Sequence, residues 1–98
     1  MTEKRTNKYK ILFQEVSLKD GAPADKSVEF EFENHDNVFD IIEIIKKSDR
    51  FTNDNENTQF VIGLKLFSDI MMRNKNTALF EDFVPAFIEF MKKLKGKN

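Results

Sequence analysis

His35 is the only histidine in a chain of 98 residues, and Asp36 follows it directly. A histidine beside a carboxylate is the smallest unit that can pass a proton or begin a metal site. Adjacent residues rarely face one another, however, and the chain has no second histidine and no cysteine to complete a ligand set. Asp36 fits better as the cap of a following helix, and His35 as a corner residue between strand and helix. Other chemistries fail sooner. Ser17, Ser27, Ser48 and Ser68 lie in none of the elbow or paired Ser/Lys contexts that activate a hydroxyl. Gly21, Gly63 and Gly96 are too scattered to cradle a phosphate. Asp54, Asn55 and Glu56 lack the twelve-residue spacing and central glycine of a calcium loop. The sequence therefore points away from an enzyme, and no cofactor or metal is expected.

What remains is surface chemistry. Residues 27–33 read Ser-Val-Glu-Phe-Glu-Phe-Glu, setting Glu29, Glu31 and Glu33 on one side of a strand and Val28, Phe30 and Phe32 on the other. The acidic row either attracts a basic partner or serves as a solvent face that discourages stray edge pairing. With His35 and Asp36 it forms the set of residues through which a ligand or partner would be met. Charge is uneven along the chain: +3 over residues 1–10, −7 over 11–60 and +3 over 61–98, for a net of −1. Lys4, Arg5, Lys8 and Lys10 at one end and Lys92, Lys93, Lys95 and Lys97 at the other would touch phosphates only if the two ends met. An acidic middle and the lack of an evident aromatic platform make nucleic acid a poor partner.

The elements that must position these groups are legible. The length suits one domain over residues 1–98, with 1–7 as a flexible polar N-terminus. Residues 9–19 are dense in strand formers, and 20–25 (Asp-Gly-Ala-Pro-Ala-Asp) are rich in turn residues, so the first third predicts a β-hairpin. Tyr9, Ile11 and Phe13 share one parity of the first strand, whereas Val16 and Leu18 share the other. Either a bulge near Gln14 and Glu15 re-aims one set, or both faces of the strand are covered.

Helices follow. Asn34 or Asp36 can cap the first, whose apolar positions are Val38, Ile41, Ile42 and Ile45. A second, near 57–73, carries Phe60, Leu64, Phe67 and Met71, widened by Val61, Leu66, Ile70 and Met72, and is expected to be the most buried. Gly63 within it costs about 1 kcal/mol relative to alanine, a cost that close approach of another backbone would offset. A short turn around 78–82 precedes a third helix opening near Pro85, with Phe83, Phe87, Phe90, Met91 and Leu94 as its stripe and Gly96 at its end. The fold class is thus α+β, a two-stranded antiparallel hairpin followed by three helices (ββααα). Eleven phenylalanines and no tryptophan are expected mainly to fill its core.

Three stretches, Phe32-Glu-Asn-His-Asp36, Gly63-Leu-Lys-Leu-Phe67 and Phe90-Met-Lys-Lys-Leu-Lys-Gly96, in this order and spacing, resemble a family of small bacterial proteins known only as a domain of unknown function. The resemblance runs nearly the whole length and implies a bacterial ββααα domain; it supplies no catalytic residues. No apolar run approaches a membrane span, and the charged N-terminus is unlike a signal peptide, which together suggest a cytoplasmic protein. A lone hairpin leaves two open strand edges, so self-association or a protein partner, met through a hairpin edge or through exposed parts of the Phe-rich helices, is the leading functional expectation. The alternative is a small-molecule or regulatory binding domain with a pocket between hairpin and helices.

Overall fold

In the computed structural model, which describes residues 5–96, the alternating segment and its partner pair as β1 (Asn7–Gln14) and β2 (Ser27–Asn34). The antiparallel register sets Tyr9 opposite Phe32, Ile11 opposite Phe30 and Phe13 opposite Val28 on one face. Lys8, Lys10 and Leu12 stand opposite Glu33, Glu31 and Glu29 on the other. The parity conflict in the first strand has a simple outcome: β1 stops at Gln14 without a bulge, so Val16, 88% exposed, and Leu18 fall in the connection. That connection is tied by the Glu15 carboxylate, which accepts the amides of Asp25 and Lys26 at 3.1 Å each. Gly21 takes φ +78°, a left-handed turn position that suits glycine, and its amide bonds the Leu18 carbonyl. Residues 1–4 of the polar N-terminus lie outside the described range. Thr6 donates to Glu33, and Asn7 already belongs to β1.

Helix α1 (Val38–Lys47) is capped by neither Asn34 nor Asp36 but by Asn37, whose Oδ1 accepts the amides of Phe39 and Asp40 at 3.0 and 3.3 Å. Asn34 is still paired in β2, its side chain turning the chain by accepting the Asp36 amide, and the Asp36 carboxylate is drawn elsewhere. Helix α2 (Asp54–Arg73) starts three residues earlier than its apolar periodicity suggests, because Asn53 caps it through the Glu56 amide at 2.7 Å. Asn57, buried in its first turn, donates to the Ile42 carbonyl and binds α2 to α1. Two successive turns over 77–84, closed by the Glu81 amide on the Thr77 carbonyl and the Val84 amide on the Phe80 carbonyl, lead into α3 (Val84–Lys95), with Pro85 near its start. The Arg50 guanidinium, from the α1–α2 connection, donates to the carbonyls of Lys93, Leu94 and Gly96 and so closes the far end of α3.

The core is small: Val38, Ile45 and Val61 are buried, with Tyr9, Phe32, Ile41, Ile42, Phe51, Phe60, Ile62 and Leu94 packed against them. Two expectations fail here. Of the eleven phenylalanines only Phe87 is buried, while Phe13, Phe30, Phe39, Phe67, Phe83 and Phe90 are exposed. Gly63 meets nothing within contact distance, so no other backbone of this chain approaches it. Helix α2 does hold the most deeply buried side chains, Val61 and Met71, yet Phe67, Ile70 and Met72 on it are exposed. The buried cluster gathers Tyr9 and Phe32 at the base of the hairpin, whereas Phe13 and Val28 at its tip stay exposed.

Candidate functional site

Where β2 hands over to α1, several side chains converge. The Tyr9 hydroxyl accepts the Val38 amide at 3.0 Å and donates to the Asp36 carbonyl at 3.4 Å, fastening the hairpin to the first turn of α1. Asn7 also donates to the Asp36 carbonyl. The Asp36 side chain points away from this cluster to α2, where Lys65 donates to it at 2.6 Å. Lys65 is only 16% exposed at its side chain, against 58% for Asp36, so a mostly buried cation meets a mostly solvated carboxylate. The hydrogen bond and charge of Lys65 hold the Asp36 carboxyl below its ordinary range, with weaker help from Lys95 and His35. A carboxylate held this way is a poor proton acceptor near neutral pH.

The Asp36–Lys65 pair forms a ridge between two clefts. One, about 950 Å³, lies between the hairpin base and the C-terminal half of α2 and carries charges of both signs, among them Arg5, Glu31, Asp69 and Arg73. The other, about 790 Å³, opens between the three helices over Ile41, Ile44, Leu64, Met91 and Leu94, with Lys95 at its rim. His35 and Asp36 engage different partners: the His35 ring contacts the Arg5 carbonyl through Nδ1 at 3.3 Å while Asp36 engages Lys65. Among the described residues no group of histidine, cysteine, aspartate or glutamate side chains is arranged to hold a metal. The glutamate row is paired within the hairpin: Lys10 meets Glu29 at 3.0 Å, Lys8 meets Glu31 at 3.8 Å, and Glu33 accepts from Thr6.

Sequence reasoning singled out neither Lys65 nor the exposed rings of α1 and the hairpin tip. Phe39, 68% exposed, and Ile44 flank an α1 already apolar at Val38, Ile41, Ile42 and Ile45. They widen the apolar stripe of this amphipathic helix beyond what the core covers, and that breadth was the available signal. Phe13, at 72% exposed, lies on the bare tip of the hairpin's apolar face.

Residues 7–96 match the model of a family described as "Domain of Unknown Function with solved-structure structure (DUF3861)". This chain belongs to that family. The DUF3861 chain is also similar to a crystallised protein of unknown function from Pectobacterium atrosepticum, with 31% identity and a TM-score of 0.80 over 92% of this chain and 97% of the other. No curated protein matches it. In this DUF3861 member the three stretches Phe32–Asp36, Gly63–Phe67 and Phe90–Gly96, far apart in sequence, all contribute to the wall of the second cleft through Asp36, Leu64, Lys65, Met91, Leu94, Lys95 and Gly96. Among the described residues no helix is long and apolar enough to cross a membrane.

Proposed function

We propose that this protein is a non-enzymatic interaction module of the cytoplasm whose exposed apolar faces are covered by a protein partner, in the first instance another copy of itself. One observation carries the reading: the chain buries too little of itself. Its accessible surface is 8163 Å², whereas a compact monomer of 11.5 kDa exposes about 5,800 Å². Subtracting about 170 Å² for each of the six terminal residues outside the described range still leaves about 1,300 Å² of excess. The radius of gyration tells the same story, 16.4 Å against about 13 Å for a compact chain of this length. Two copies each hiding about 1,300 Å² would bury about 2,600 Å² together, within the range of obligate homodimers. Sedimentation equilibrium from micromolar to millimolar concentration is the test. A mass of twice 11.5 kDa is expected; a monomer throughout, with no partner recovered from the native cell, contradicts the reading.

A second reading has its own support in the cleft between the helices, where an apolar floor meets Lys95, Lys65 being already paired with Asp36. Such a site suits a small apolar molecule with an acidic group. A ligand at a hundred times its Kd would stabilise the fold by about 2.7 kcal/mol, so thermal shift against a metabolite panel separates this reading from the first.

A further inference from the structure

We propose that two copies join through the outer edge of β1, forming a continuous four-stranded antiparallel sheet in the order β2-β1-β1-β2. This rests on the self-association reading and names its surface. β1 is hydrogen-bonded along one edge only, to β2, and α2 approaches the hairpin from the β2 side. The free edge is eight residues long and has neither bulge nor proline, the kind of edge that recruits another strand. Its lysines do not defend it, because Lys8 and Lys10 are engaged with Glu31 and Glu29 of their own hairpin.

The sequence of each strand chooses between the two edges. When β2 is paired with its own copy and the apolar faces are kept on one side, every register of five or more residues sets glutamates opposite one another. Facing like charges are unfavourable. β1 has a register free of that conflict. Centred on Ile11, it sets Ile11 opposite Ile11, Tyr9 opposite Phe13, Lys10 opposite Leu12 and Lys8 opposite Gln14 of the second copy. Shifting the centre to Lys10 would oppose two lysines.

This register also gives partners to two apolar residues left uncovered in one copy, Phe13 and Leu12. Each Phe13 comes to lie beside Tyr9 of the other copy, and Tyr9 stands 6.1 Å from Phe39. The bare tip of one hairpin thereby reaches the aromatic pair at the base of the other. On the opposite face Leu12, an apolar residue among charges, receives the aliphatic stem of Lys10 from the second copy.

The cysteine-free chain makes the test clean. Directly opposed residues of antiparallel strands have Cα atoms about 4.5–5.5 Å apart, within disulfide reach. Ile11→Cys should therefore yield a covalent dimer under mild oxidation. Phe13→Cys should not, since its two copies stand about 14 Å apart along the strands. Should Ile11→Cys fold poorly, an equimolar mixture of Lys10→Cys and Leu12→Cys, both at exposed positions, should cross-link where neither does alone. Phe13→Asp should weaken self-association on the order of 100-fold while leaving the circular dichroism of the monomer unchanged. A protein that sediments as a dimer yet cross-links through Phe13→Cys, or through none of these, overturns the β1 edge and leaves self-association standing. A protein that sediments only as a monomer overturns both.

Discussion

The two halves of the hairpin carry the same alternation and meet different fates. At its base Tyr9 and Phe32 pack with centroids 5.3 Å apart against Val38, Ile45 and Val61, and the Tyr9 hydroxyl ties the strand to α1. At its tip Phe13 and Val28 are paired across the strands with the same geometry, yet both face solvent. The difference lies not in the strands but in what stands beyond them: the buried cluster of Val38, Ile45 and Val61 lies against the base and leaves the tip exposed. The apolar face left bare at the tip is one observation on which the proposed self-association rests.

Substitutions that should sharpen this contrast run from large effects to small. Ile45→Ala, in the core under the base, should destabilise the fold by about 2–4 kcal/mol in chemical denaturation. Phe13→Ala should change the stability of the dilute monomer by less than about 0.5 kcal/mol while weakening its self-association. An equal loss of stability for the two would erase the distinction between base and tip. Tyr9→Phe removes the hydroxyl that accepts the Val38 amide and donates to Asp36, and should cost about 1–2 kcal/mol, read as a lower denaturation midpoint with unchanged slope.

The smallest effect belongs to the ridge. Because Lys65 lowers the Asp36 pKa, the pair stabilises the fold above the ordinary carboxyl value of 3.8 and loses that contribution as pH falls through the depressed value. Lys65→Met should thus be less stable than the parent at neutral pH by no more than about 1 kcal/mol, Asp36 being largely solvated. The gap should close as the solution is acidified into the range where Asp36 protonates. A gap that persists undiminished at low pH would assign the effect to packing of the Lys65 stem instead.

Much of the fold was legible because its signals are local. The Glu-Phe-Glu-Phe alternation, the turn-rich 20–25 stretch and Pro85 each announce an element by their own chemistry. Capping misled where three capping residues crowd together: Asn34, Asp36 and Asn37 all qualify, and the choice falls to Asn37 because β2 holds one rival and Lys65 the other. The burial of the rings was misjudged for a different reason. Periodicity says which residues share a face but not whether anything lies opposite to cover them, and among the described residues Phe13, Phe39 and Ile70 stay exposed. Lys65 escaped notice because its partner, Asp36, is 29 positions away and no local pattern joins them.

Hydrogen–deuterium exchange of β1, followed as protein concentration is raised, addresses the pairing of copies most directly. The backbone amides of Asn7–Gln14 that β2 leaves unbonded should become protected as the protein associates, while the amides within α1 keep the rates they show in dilute solution. Exchange along β1 that stays equally fast at every concentration would mean that its edge meets solvent rather than another strand.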